Sequence, residues 1–233
     1  MGKIVALGGG RFDNGEMDNV TEHIISLTGK KNPLILIIPT ASFDNMDEND
    51  DVKLCFEKFG CTTDILFLTH EGVTEDVIKE KIESADGIFV QGGNLKFLMD
   101  TWKATGTDKY LLEVYEKGTV LSGASSGAMC WFTEGYDDCI DGQFVFVKCL
   151  DIIPYINCPH YQSEYWQTFE QALAITNKKI SGIACDNGAG FCINDGTYYT
   201  VAGNEDGDCY FYDANNNFSK TNINQNPGIL KTL

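Results

Sequence analysis

A serine flanked by glycines, in the run Gly123-Ala124-Ser125-Ser126-Gly127, is the stretch of this 233-residue chain best suited to covalent chemistry. An apolar strand-like segment from Thr119 leads into it, and the small and apolar residues Ala128 to Phe132 that follow suit a buried helix. The spacing predicts a sharp strand-to-helix turn, in which small neighbours let the backbone bend and the bend holds the Ser125 hydroxyl beyond the end of a sheet. The amide of Ser126 then falls in the first helical turn, where N–H groups lack internal acceptors and can hold a developing oxyanion. The same five residues would also serve as a plain close-packing turn, so the chemical reading requires a base elsewhere.

Three histidines are available. His23 falls in a helical pattern and His70 in a loop, both ordinary places for a solvated or capping role. His160 follows Pro159 at the end of a strand-like run and precedes Tyr161, which makes it the candidate general base. A carboxylate to set its tautomer is sought at Asp138, Asp137 or Glu134, in the chain order Ser, acid, His. A second oxyanion donor is expected from the Gly93 amide in Gln91-Gly92-Gly93-Asn94; the alternative there is a simple turn with Asn94 capping the next helix.

The elements that must position these residues alternate. Strands are expected at about Lys3 to Leu7, Pro33 to Ile38, Asp64 to Leu68 and Gly87 to Val90, with helices between them. The continuous apolar run Pro33 to Ile38 fits a strand buried on both faces of a parallel sheet, and Pro39 ends it so that Thr40-Ala41-Ser42 lies at the carboxyl edge. The pattern predicts an α/β fold: a doubly wound, mostly parallel sheet with helices on both faces, a three-layer αβα sandwich whose site lies outside the carboxyl ends of the strands. Residues 1–233 are expected to form a single hydrolytic domain. Glu134, Asp137 and Asp138 are placed in a loop, and the Asn-rich last twenty or so residues in irregular surface structure. Gly8-Gly9-Gly10 lacks the glycine at position 13 that a dinucleotide fingerprint needs, since Asp13 stands there; the glycines instead let backbone pass close to a ligand or a neighbouring loop.

Composition excludes several classes. A formal net charge of −17 argues against nucleic acid and anionic membrane as partners, and no apolar run reaches the length of a membrane span. Nine cysteines, an odd number without a C-x-x-C pair, read as buried free thiols and place the protein in a reducing cytoplasm. No metal and no cofactor is expected.

The set Gly92-Gly93-Asn94, Gly123-Ala124-Ser125-Ser126-Gly127-Ala128 and Pro159-His160-Tyr161 resembles, in order and spacing, the serine peptidase family of dipeptidase E (aspartyl dipeptidase) and its cyanophycinase relatives, which share the class I glutamine amidotransferase-like fold. The resemblance runs through about Val201. It implies Ser125 as nucleophile, His160 as general base and acid, Gly93 and Ser126 as oxyanion donors and, among the carboxylates, Asp138. The family's usual Ala-Gly-Ala after the nucleophile is Ser126-Gly127-Ala128 here. An amidotransferase is disfavoured, because it would need a Cys nucleophile and His-x-Glu, whereas Gln162 follows His160 by two. The implied activity is hydrolysis of small peptides, and the alternative is a silent member that binds a ligand in the same cleft.

The resemblance also suggests N-terminal aspartyl substrates. Arg11, the only arginine in the chain, follows the glycines after the first strand and is the candidate carboxylate donor; Lys96 is the other, and Asn94 is a further candidate contact. Oligomeric state is not legible.

Overall fold

The computed structural model describes residues 2–47, 50–176, 179–203, 207–224 and 228–229. Its first half is the expected alternation: β1 (Lys3–Leu7), α1 (Asp18–Thr28), β2 (Leu34–Ile38), α2 (Asp51–Lys58), β3 (Thr62–Ile65), α3 (Glu75–Ser84), β4 (Gly87–Val90), α4 (Leu95–Thr105), α5 (Thr107–Lys117) and β5 (Val120–Ala124). Local chemistry sets several ends. Asp50 caps α2 by accepting from the amides of Val52 and Lys53, Thr74 caps α3 through Val77, and Gly29 and Gly118 close α1 and α5 in the left-handed conformation.

The second half holds α6 (Ser126–Met129), β6 (Phe132–Ile140), β7 (Gln143–Lys148), β8 (Ile153–Cys158), α7 (Thr168–Ile175), β9 (Gly182–Cys185), β10 (Ala189–Asn194), β11 (Thr197–Ala202), β12 (Cys209–Asp213), β13 (Ser219–Asn222) and β14 (Gly228–Ile229). Eight strands form one sheet in the order β14-β11-β10-β1-β5-β4-β2-β3, parallel from β1 to β3 and antiparallel from β1 outward to β14. The other six form a second mixed sheet in the order β13-β12-β9-β8-β6-β7.

Alternation along the inner strands serves two cores. Ile4, Ala6, Leu36, Ile38, Ile88 and Val90 pack with Ile78 and Ile82 of α3, Leu98 and Trp102 of α4 and Leu111 of α5. Val5, Leu7, Ile35, Ile37 and Phe89 face Val20 and Ile24 of α1 and Phe56 of α2 on the other side. Both faces of the central parallel strands are therefore covered, which is why β2 and β4 run without a polar residue. The second sheet turns Ile156, Cys158 and Ala184 toward Phe169 and Leu173 of α7. It also gives Phe132, Ile153 and Ile183 to the core shared with α3 to α5.

Two expectations are corrected. The segment of Glu134, Asp137 and Asp138 is not a loop but the middle of β6, paired antiparallel with β7 and parallel with β8. Burial of Glu134 to Asp137 between the neighbouring strands overrides the turn-like polarity of the sequence. The chain beyond Asp213 is also more regular than expected, because β13 completes the second sheet beside β12.

Candidate active site

Ser125 stands at the tip of the turn between β5 and α6, with φ 57° and ψ −121°. Few L-residues adopt this conformation, which costs about 1–3 kcal/mol and persists only where surrounding structure enforces it. Glycines make the enforcement possible. A Cβ at Gly123 would lie 2.1 Å from the Gly127 carbonyl oxygen, and one at Gly127 would lie 2.0 Å from that of Val90, so strand, turn and helix meet backbone to backbone. The loop after β4 presses on the same turn: a Cβ at Gly92 would lie 2.9 Å from Ser125 Cβ.

His160 follows β8 with φ 52° and is tied to the first strand's exit by its amide, which donates to the Gly8 carbonyl at 2.9 Å. Its Nε2 lies 2.9 Å from Ser125 Oγ, and its Nδ1 lies 2.6 Å from Asn187 Oδ1. With the amide oxygen as acceptor, Nδ1 carries the proton and Nε2 is left to accept from the serine hydroxyl. Burial lowers the His160 pKa below its ordinary value, opposed by the Asn187 hydrogen bond and the charge of Asp138, so the ring is held in its basic form. Trp166 flanks the imidazole, with ring centroids 5.4 Å apart.

Asn187 is in turn held by Gln162, whose side-chain oxygen accepts from the Asn187 backbone N–H at 2.7 Å. The residue that distinguishes this chain from His-x-Glu thus steadies the partner of His160. The loop after β1 closes over this pair: a Cβ at Gly9 would lie 2.3 Å from Asn187 Oδ1 and 2.5 Å from His160 Cε1. The Gly9 carbonyl accepts from the Gly188 amide at 3.0 Å. The triple glycine therefore serves close backbone passage, as its sequence context indicated.

The carboxylate expected at Nδ1 is elsewhere. Asp138 Oδ2 accepts from the Tyr165 hydroxyl at 3.1 Å, and among the described residues it makes no hydrogen bond to His160. Asp137, its neighbour on β6, is buried and meets Ser126 instead. Glu134 is also buried in the strand. Sequence reasoning missed Asn187; the available signal was Asp186-Asn187-Gly188 directly after an apolar strand, a turn at a carboxyl end.

Gly93 and Ser126 lie side by side. The Ser126 hydroxyl donates to the Gly93 carbonyl at 2.6 Å, and neither residue's amide takes part in the turn and loop hydrogen bonds of the described residues. Asn94 caps α4: its Oδ1 accepts from the Phe97 amide at 2.8 Å and its Nδ2 donates to the Cys139 carbonyl at 3.3 Å. Arg11 lies in the loop after β1 with its side chain exposed and forked onto Asp13 at 2.7 and 3.1 Å. Lys96 pairs with Asp100. His23 meets the Tyr199 hydroxyl and His70 stacks on Phe67, both apart from Ser125. All nine cysteines are free thiols, buried except for the half-buried Cys139 and Cys149. Among the described residues no helix is long and apolar enough to cross a membrane.

A strained serine on a strand-to-helix elbow, bonded to a histidine that is oriented from behind, defines the class as a hydrolytic one. Comparison with known proteins agrees. Residues 4–201 match the model of peptidase family S51, and the chain belongs to that family. It is 34% identical over 206 residues to the uncharacterized peptidase YgaJ of Bacillus subtilis, covering 87% of this chain and 88% of that one. An uncharacterized peptidase of Listeria monocytogenes is 29% identical over 163 residues, covering 66% and 76%. Among solved structures, a peptidase from an acI-B1 Actinobacterium superposes with a TM-score of 0.74 at 17% identity, covering 96% of this chain and 94% of that one. A putative peptidase E from Listeria monocytogenes gives 0.69 at 21%, covering 87% and 98%, and these two likenesses speak to the fold alone.

Proposed function

We propose that this peptidase is a serine-type enzyme of the dipeptidase E kind, hydrolysing small peptides through an acyl-enzyme. The observation that carries the reading is His160, with Nε2 2.9 Å from Ser125 Oγ and Nδ1 2.6 Å from Asn187 Oδ1. Ser125 attacks the scissile carbonyl as its proton passes to His160 Nε2, and the tetrahedral oxyanion is met by the amides of Gly93 and Ser126. The intermediate collapses as His160 returns that proton to the departing amine, leaving Ser125 acylated. Water then attacks the ester, giving its proton to His160, which passes it to Ser125 Oγ as the acyl–oxygen bond breaks and the acid is released. Asn187 keeps the proton on Nδ1 throughout and stabilises the imidazolium as a neutral dipole, the role first sought at Asp138.

Substrate preference for N-terminal aspartyl dipeptides is part of the proposal, supported by the family likeness and by Arg11 two residues beyond the glycine that touches His160. A reducing, cytoplasmic setting is supported by the free thiols. The test is a fluorophosphonate probe together with a dipeptide panel read by mass spectrometry. Covalent labelling lost in Ser125→Ala, with hydrolysis lost in step, is expected. Native protein that neither labels nor hydrolyses any member of the panel would instead favour a ligand-binding role for the cleft.

A further inference from the structure

Where the resembling family usually carries alanine after the nucleophile, this chain has Ser126, and its hydroxyl is fully engaged. Ser126 is 1% exposed; its Oγ lies 2.6 Å from the Gly93 carbonyl oxygen and 3.2 Å from Oδ2 of Asp137, itself 3% exposed on β6. A hydroxyl has one proton to give, and a carbonyl can only accept. The short contact to Gly93 therefore claims the proton, and Asp137 supports that arrangement fully when its own carboxyl is protonated and donates to Ser126 Oγ. An ionised Asp137 competes with the Gly93 carbonyl for the same proton.

Gly93 needs such support. Its φ is +149°, and a Cβ there would lie 2.1 Å from the Ala41 carbonyl oxygen, so no side chain can anchor this residue. On the far side the next amide, Asn94 N–H, donates to Ala41 O at 2.7 Å; on the near side the Ser126 hydroxyl holds the carbonyl. We propose that Ser126 through its hydroxyl and Asp137 through its carboxyl are positioning residues that brace the Gly93-Asn94 peptide and so aim the Gly93 amide at the oxyanion. This rests on the serine-hydrolase reading above. The titratable groups around Asp137 are Asp138, Glu134 and Cys139 on its own strand, Cys149 just beyond β7, and Lys96 in the first turn of α4, whose ammonium is paired with Asp100. Burial first, then the Asp138 charge, push Asp137 up to about 6 against the Ser126 hydrogen bond, so the brace changes its proton inventory near neutrality.

The test compares kcat, KM and pH profiles of dipeptide hydrolysis for native enzyme, Ser125→Ala, Ser126→Ala, Ser126→Thr and Asp137→Asn, with circular dichroism melts to verify folding. Ser126→Ala is expected to lower kcat about tenfold, less than the loss of a whole oxyanion donor, with KM changed by less than about twofold. Ser126→Thr, which keeps the hydroxyl, is expected to recover most of that loss. In Asp137→Asn the amide donates to Ser126 Oγ at every pH, so the fall in kcat that accompanies Asp137 ionisation should disappear. Hydrolysis surviving in Ser125→Ala overturns the serine-hydrolase reading and the brace together. A dead Ser125→Ala beside a native kcat in Ser126→Ala overturns the brace alone, as does an Asp137→Asn profile that matches the native one.

Discussion

His160 Nδ1 and Asn187 Oδ1 stand 2.6 Å apart, so a neutral amide occupies the place behind the base where hydrolases commonly keep a carboxylate. An amide fixes the tautomer but stabilises imidazolium less than a charge does. Asn187→Asp is therefore expected to raise the His160 pKa and move the acid limb of kcat/KM to higher pH. Asn187→Ala, which leaves the ring unoriented, should cost about 10²-fold in kcat. Rate–pH profiles of both variants check this; an unmoved acid limb in Asn187→Asp would remove Asn187 from the site's machinery.

Asp138 bonds to Tyr165 rather than to His160 among the described residues, and its charge raises the His160 pKa. Asp138→Asn is expected to lower the His160 pKa and shift the acid limb downward, with kcat at its plateau within about fivefold of native. A loss near 10⁴-fold, the scale seen when a histidine's tautomer is mis-set, would return the orienting role to Asp138.

The backbone of Ser125 stores strain that glycine relieves. Ser125→Gly should be inactive yet more stable by about 1 kcal/mol or more, because φ 57° with ψ −121° is accessible to glycine. Thermal melts at one pH measure the gain, and a Ser125→Gly protein that melts below the native one contradicts it.

Asp137 gives a pH signature in stability. Its folded-state pKa, about 6, lies above the ordinary 3.8, so its protonated form stabilises the fold fully below about pH 4, and that contribution is lost as pH rises through 6. At pH 8 the cost of burying the ionised carboxylate is about 3 kcal/mol, by two pKa units at 1.36 kcal/mol each. Asp137→Asn should accordingly gain stability over the native protein at pH 8 and lose that advantage at pH 4. Urea unfolding at the two values is the measurement.

Arg11 offers a selectivity test. If its guanidinium leaves Asp13 for the side chain of an aspartyl substrate, Arg11→Gln lowers kcat/KM on aspartyl dipeptides at least about tenfold, the scale of a lost hydrogen bond to a charged group, and barely changes it on neutral ones. Equal falls on both substrates would separate Arg11 from recognition.

Much of this architecture is written in local pattern. The uninterrupted apolar runs of β2 and β4 and the capped helices between them carry the parallel strands, and Gly123 and Gly127 announce the elbow around Ser125 because a Cβ at either would meet backbone. The second sheet was harder to read, since β6 carries Glu134, Asp137 and Asp138 in a segment whose burial depends on partners from β7 and β8. For the same reason the partner of His160 was sought among carboxylates near in sequence. Asn187 arrives through β9, and its side chain meets His160 only because Gly9 leaves room for both.

The pairing of β1 with β10 joins the beginning of the chain to a strand made only after Asn187, in antiparallel register from Lys3↔Asn194 to Leu7↔Gly190. During synthesis Ser125 emerges long before the segment that steadies its base. A ribosome-bound chain that stops short of Asn187 already contains the elbow but has neither the partner of His160 nor the strand that flanks β1. Under the proposed mechanism the full set of Ser125, His160 and Asn187 is therefore complete only when this long-range pairing closes.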